Sequence, residues 1–236
     1  MANITASMVK ELRERTSAGM MDCKKALAAT DGNMDEAVTW LRERGIAKAV
    51  KKEGAVAAEG LCSFAIKGNK CVLFELNSQT DFVAQNAKFT DLIANVGEIL
   101  VNSDATCTEC ALKVESNGKN LETIILEASG VIGEKISLRR VTVLEKNDNQ
   151  VFGAYKHMGG RIASVVLVDG TDEVVAKDVA MHIAALAPKY VSKDDIPADV
   201  IEKEREVILA AALNENATSA NQSLRILLQK ESFQVV

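Results

Sequence analysis

The apolar residues of this chain change their spacing near Gly60, and that change dictates two kinds of architecture in one polypeptide. Before Gly60 they recur every three to four positions, as on one face of a helix; after it they alternate, as on one face of a strand. The first 45 residues read as three short helices. Val9 and Leu12 share a face of the first, with Ser7 as its N-cap. Asp22 caps the second, which presents Cys23, Ala26 and Leu27. After a Thr30-Asp31-Gly32-Asn33 turn, the third carries Met34, Ala37, Val38 and Leu41, takes Asp35 and Glu36 in its first turn, and ends at Gly45 as C-cap. Trp40 is expected to supply much of the buried area of so small a bundle. Residues 46–60, rich in Ala, Lys and Gly, read as a linker.

Beyond the linker, Leu61-Cys62-Ser63-Phe64-Ala65-Ile66 and Cys71-Val72-Leu73-Phe74-Glu75-Leu76 flank Lys67-Gly68-Asn69-Lys70, a hairpin pattern. A helix follows with Phe89, Leu92, Ile93, Val96 and Leu100 on one side; another carries Leu121, Ile124, Ile125 and Ala128, and residues 136–144 read as a strand. The order then recurs. A shift of 91 positions places Gly68 on Gly159, Lys70 on Arg161, Leu76 on Leu167 and Thr80-Asp81 on Thr171-Asp172. The second copy is again strand, Gly turn, strand and helix, the helix bearing Val175, Val179, Ile183 and Leu186. The expectation is an α+β fold: a three-helix N-terminal domain and a duplicated hairpin-and-helix core with antiparallel sheets. Its segments are residues 1–55, 56–145, 146–197 and 198–236. One more helix follows Pro197, with Val200, Ile201, Val207, Ile208 and Ala211 apolar.

Charge narrows the partner class. The 236 residues carry a formal net charge of −5, and neither side of Gly60 hides a basic half. Nucleic acid needs a cation surplus to displace its counterions, so a protein or small-molecule partner is expected. No run approaches the roughly 18 apolar residues of a membrane span. The first fifteen residues mix charges without an apolar stretch, so the expected location is the cytoplasm and the five cysteines are expected to be thiols.

Catalytic chemistry is not evident. Cys107-Thr108-Glu109-Cys110 is a lone Cys-x-x-Cys in a polar stretch, short of the four ligands a zinc site uses. Gly130-Val131-Ile132-Gly133-Glu134-Lys135 lacks the spacing of a phosphate loop and reads as a helix end. His182 falls on the apolar face of its helix and reads as a core residue, whereas His157, before a Gly-rich turn, reads as exposed. Interaction features are more specific. Met20 and Met21, between two helices, are either tucked inward or an adaptable contact surface. Thr80-Asp81-Phe82-Val83 begins a helix, with Thr80 or Asp81 as its cap. The two copies differ at the next position, Phe82 against Glu173, and an aromatic in an exposed first turn has the character of an interface anchor.

Several long segments resemble the bacterial elongation factor Ts family, the guanine-nucleotide exchange factors of elongation factor Tu. The resemblance is carried by Val9-Lys10-Glu11-Leu12-Arg13-Glu14-Arg15-Thr16, by Ala18-Gly19-Met20-Met21-Asp22-Cys23-Lys24-Lys25-Ala26-Leu27 and by Glu75-Leu76-Asn77-Ser78-Gln79-Thr80-Asp81-Phe82-Val83-Ala84. It continues in Tyr155-Lys156-His157, Arg161-Ile162 and Ala180-Met181-His182-Ile183-Ala184-Ala185, over about residues 1–208. The resemblance implies a ubiquitin-associated-like N-terminal domain and a partner surface formed by Thr80, Asp81, Phe82 and Val83. Asp81 and Phe82 are implied to enter the GTPase domain of elongation factor Tu beside its Mg²⁺. Lys10, Leu12, Met20 and Met21 are implied to touch the same domain, and His157 a different one. No cofactor and no covalent chemistry are implied. Family members continue into a long helical hairpin and a C-terminal module. Here residues 214–236, with Leu227-Leu228-Gln229 and Phe233, are expected to hold a shortened, missing or replaced version. The alternative reading is a ubiquitin-associated-like peptide-binding adaptor without exchange activity, and a carboxylate hydrolase stands behind both.

Overall fold

The structure is a computed structural model that describes residues 4–52, 54–170 and 172–215. Residues 216–236, with the expected return segment, lie outside the described residues. Helix and antiparallel sheet are segregated along the chain, an α+β arrangement. The described chain divides into two compact units between Ala185 and Leu186, a coarser partition than the four segments read from sequence.

The first unit opens with α1 (Ala6–Thr16), α2 (Met20–Ala29) and α3 (Met34–Val50). Leu12, Cys23, Ala26, Leu27 and Ala37 are wholly buried among them. Two caps differ from expectation. Thr5, not Ser7, caps α1, its hydroxyl accepting from the Met8 amide at 3.3 Å. Gly19 precedes α2 with no side-chain cap, and Asp22 sits inside the first turn. Asn33 caps α3 by accepting from the amides of Asp35 and Glu36. Trp40 is half-buried at the edge of the bundle, beneath the Arg44 guanidinium, rather than at its centre.

Gly45 does not end α3. The helix runs on to Val50 because Gly45 crosses Gly130 of α7 (Leu121–Ile132), backbone against backbone. A Cβ on Gly130 would lie 2.6 Å from the Gly45 carbonyl carbon, so only glycine permits the crossing. The part of the expected linker nearest the bundle is therefore helix docked on the core.

In that core, β1 (Glu59–Lys67) and β2 (Lys70–Ser78) form the expected hairpin, paired from Glu59–Ser78 to Lys67–Lys70. The third strand of the sheet, β5 (Ser137–Glu145), pairs antiparallel with β2, giving the order β1-β2-β5. Between them run α4 (Asp81–Ala84), α5 (Ala87–Val101), α6 (Thr108–Leu112), the two-residue strands β3 (Glu115–Ser116) and β4 (Lys119–Asn120), and α7. The expected face of α5 (Phe89, Leu92, Ile93, Val96 and Leu100) packs with Val72, Phe74 and Leu76 of β2. Cys107 and Cys110 are joined as a disulfide, not free thiols. Cys107 is the N-cap of α6, so the first helical turn returns Cys110 to it, with 5.2 Å between their Cα atoms. Cys23, Cys62 and Cys71 are free.

The second hairpin is a separate two-stranded sheet, β6 (Gln150–His157) and β7 (Ile162–Asp169), followed by α8 (Glu173–Leu186). The face of α8 differs from the one read from periodicity. Ala176, Ala180 and Ala184 are buried, while Val175, Val179 and Leu186 are exposed, as is His182. The cause is close approach: a Cβ on Gly153 of β6 would lie 1.9 Å from the Ala176 carbonyl oxygen. A backbone that near to the sheet admits only alanine between them.

The second unit holds a 3₁₀ turn, Lys193–Asp195, closed by a Ser192–Asp195 capping box, and α9 (Ala198–Glu215). Val200, Ile201, Val207, Ile208, Leu209 and Leu213 of α9 are exposed. No helix among the described residues is long and apolar enough to cross a membrane.

Candidate functional site

The Thr80-Asp81-Phe82-Val83 segment leaves the end of β2 and folds into the single turn of α4. Thr80 occupies the N-cap position but does not cap. Its hydroxyl and its amide both donate to the Glu134 carboxylate, at 2.7 and 3.0 Å. The neighbouring Gln79 side-chain oxygen accepts from the Lys135 amide at 2.9 Å, and the Ser78 hydroxyl donates to the Thr80 carbonyl at 2.9 Å. The turn that follows α7, entered through Gly133 in the left-handed region (φ 89°), thus bolts the end of β2 in place. Bonds to an ionised carboxylate are the stronger kind, which makes this a rigid mount.

Below the mount, Val83 and Ala84 are buried, each 7% exposed. Phe82, between Asp81 and Val83, points the other way and is 82% exposed. An aromatic held so far out of a core forgoes about 2 kcal/mol of burial. The Asp81 carboxylate is half exposed and faces Arg161 at 3.9 Å. That arginine belongs to the turn between β6 and β7, so the second hairpin reaches the side of α4.

The same turn begins with His157, exposed, its Nδ1 3.1 Å from the Tyr155 hydroxyl, and continues into the exposed Met158. The turn is seated on β1 by Gly160, whose absent Cβ would lie 2.6 Å from the Cys62 carbonyl oxygen. From the other side, Lys88 at the start of α5 donates to the Ser17 carbonyl of the three-helix bundle at 3.3 Å. Lys10 and Lys88 line one hollow with Ser17, of about 270 Å³. Met20 and Met21 begin α2 just beyond and are 58% and 64% exposed, resolving the two readings toward the surface.

Two expected contact residues are not available to a partner. Leu12 is completely buried on the inner face of α1, opposite Lys10, and Val83 anchors α4 in the core. Glu134, Arg161 and Lys88 carry weight that residue reading did not assign. Gly133-Glu134-Lys135 reads in sequence as a helix end, although its acid is what holds Thr80. Among the described residues no group of three or more His, Cys, Asp or Glu is placed to hold a metal ion.

Inside β2, Glu75 is buried between Arg139 at 3.2 Å and Arg140 at 2.5 Å. Burial pushes its carboxyl upward, but the Arg140 and Asn77 hydrogen bonds and the two arginine charges outweigh this and hold it below the usual carboxylate value. Burial and the Glu75 charge raise the nearby Cys62 thiol, and burial alone raises Cys71 to about 11. Neither thiol is an activated nucleophile at neutral pH.

Residues 79–224 match the family model described as Elongation factor TS. A protein of Spiroplasma citri named Elongation factor Ts is 51% identical over 213 residues, 90% of this chain and 72% of that protein. Proteins of the same name from Acholeplasma laidlawii and Pediococcus pentosaceus are each 52% identical over 215 residues, covering 91% of this chain and 73% and 74% of theirs. Matches of this extent show that the chain belongs to the elongation factor Ts family of translation elongation factors.

Proposed function

We propose that this chain is a guanine-nucleotide exchange factor for elongation factor Tu, acting by binding alone and without covalent chemistry. The observation that carries the reading is Phe82, 82% exposed on a turn mounted by Glu134 and anchored by Val83. Phe82 enters between helices of the GTPase domain and displaces the groups that order Mg²⁺ and the nucleotide phosphates. Asp81 engages the polar groups around that ion, exchanging its contact with Arg161 for contacts on the partner. Lys10, Met20 and Met21 of the three-helix, ubiquitin-associated-like domain add a second contact on the same domain, and His157 a third on another. The site of action is the cytoplasm.

The energetics follow from linkage. Mg²⁺ neutralises phosphate charge, so a wedge that loosens it weakens GDP. The coupling is reciprocal: a tenfold loss of GDP affinity, ~1.4 kcal/mol, is an equal loss of factor affinity when GDP is bound. Incoming nucleotide therefore ejects the factor. The α3–α7 crossing at Gly45 and Gly130, which ties the bundle to the core, speaks against an independent peptide-binding adaptor.

The test is release of labelled GDP from elongation factor Tu. The wild-type chain accelerates it, and Phe82→Ala loses ~30-fold or more, the scale of an interface hot spot, with an unchanged melting curve. Unchanged exchange by a folded Phe82→Ala would remove the wedge.

A further inference from the structure

The three-helix bundle and α7 enclose a cleft of about 670 Å³, which none of the contacts proposed above uses. Six cations line it (Arg15, Arg42, Arg44, Lys48, Lys51 and Lys52) against two acids, Asp22 and Glu127, in a chain whose net charge is −5. Four of the six are engaged by carboxylates or a carbonyl, and Arg44 stacks over Trp40. Arg15 pairs with Asp35 at 2.8 Å, Lys48 with Asp22 at 3.1 Å, Arg42 with Glu127, and Lys52 donates to the Gly133 carbonyl at the end of α7. Arg44 and Lys51 have no acidic partner among the described residues, so the lining keeps a cation surplus after its internal pairs are made.

Two further features share that space. α2 starts at its wall, where Gly19 and Asp22 line the cleft and no side chain caps the helix, so the dipole of ten residues opens with its first-turn amides uncapped. Between the charges the wall is apolar, formed by Val38, Leu41 and Val131. The volume falls within the range of small-molecule sites, roughly 300–1,000 Å³. Cations and uncapped amides suit phosphate oxygens, and an apolar wall suits the flat body that a nucleotide carries.

We propose that this cleft binds a phosphate-bearing small molecule, with Arg44, Lys51 and the start of α2 taking the phosphates and Val38, Leu41 and Val131 facing the rest. The site belongs to the chain alone and does not depend on the exchange reading, because it is assayed without any GTPase.

The experiment is calorimetric titration of the full chain with GDP, with inorganic tripolyphosphate and with uncharged guanosine. Trp40, the one tryptophan, lies 4.9 Å beneath Arg44 and gives a fluorescence readout for tripolyphosphate. The expected result is saturable binding of one GDP or one tripolyphosphate per chain, weakening as salt rises, with guanosine bound far more weakly. Arg44→Gln/Lys51→Gln weakens it ~10-fold, the scale of two charge-assisted contacts. Lys113→Gln/Lys177→Gln, which removes two exposed cations that do not line the cleft, leaves it unchanged. GDP tighter than tripolyphosphate assigns a nucleotide; equal affinities assign the phosphate chain itself. No saturable binding of either, or a folded Arg44→Gln/Lys51→Gln that binds like wild type, overturns the proposal.

Discussion

The two hairpin-and-helix units start from the same plan and end differently. Shifted by 91 positions, β1 and β2 overlay β6 and β7, and Asp81 overlays Asp172. In the second unit Asp172 behaves as sequence suggests, its carboxylate accepting from the amides of Val174 and Val175 at 2.9 and 3.1 Å, and α8 runs unbroken from there. In the first, Thr80 is drawn to Glu134, α4 stops after four residues and α5 restarts under its own cap, Asn86. The motif is thus used for a helix cap at Asp172 and for a mount at Thr80. The difference lies in a carboxylate 54 residues away in sequence, and its result is an aromatic displayed where the second unit has Glu173.

Packing separates the units as well. The first buries Phe74, Leu76, Phe89 and Leu100 and recruits β5 as a third strand; the second seats α8 on β6 through alanines. The largest expected effect tests this. Gly153→Ala forces a Cβ to 1.9 Å from the Ala176 carbonyl and should destabilise by ~3 kcal/mol, seen as a lowered urea midpoint. Gly97→Ala in α5 meets the Phe74 ring at 3.3 Å and the Ala65 Cβ at 3.4 Å, side chains rather than backbone, and its gain in helix propensity of about 1 kcal/mol should leave stability nearly unchanged. Equal losses from both would erase the contrast.

Next in size is Glu134→Gln, which leaves the Thr80 hydroxyl and amide without an ionised acceptor. It should cost ~2 kcal/mol of stability and slow GDP release from elongation factor Tu while Phe82 is intact. A fully active Glu134→Gln would show that the turn needs no mount. The paired aspartates come third. Asp172→Ala should cost ~1 kcal/mol as a lost cap, whereas Asp81→Ala, losing one exposed contact with Arg161, should barely move the melting temperature yet reduce exchange.

The smallest effect is that of pH. Glu75 has a folded pKa below its unfolded value, so its contribution to stability is present above the unfolded carboxylate pKa of about 4.3 and is lost as pH falls through the folded one. Arg140→Gln removes the main lowering partner, so its urea midpoint should fall less than that of wild type between ~pH 6 and ~pH 3. A parallel fall in both would show that Glu75 is not the group responsible.

Much of the plan was legible in the residues. The three helices, the Gly68 hairpin, the buried face of α5 and the second hairpin all follow from local periods and turn residues. The exposed Phe82 was legible as an oddity, because the repeat offers Glu173 as its control. The burial of Leu12 follows from the helical period that puts it beside Val9 and opposite Lys10, whereas the face of α8, the end of α3 and the bond between Cys107 and Cys110 each depend on how near another group comes.

By itself, then, the amino-acid order determined where helices and strands form, how the hairpins turn and which family the motifs resemble, since each depends on residues a few positions apart. Only tertiary structure decided that α3 passes through Gly45, that alanines rather than valines of α8 are buried and that Thr80 binds Glu134 instead of capping. Those outcomes depend on how closely two backbones approach and which polar group arrives opposite another. Periodicity specifies that a face exists, but the partner's shape selects which face is buried.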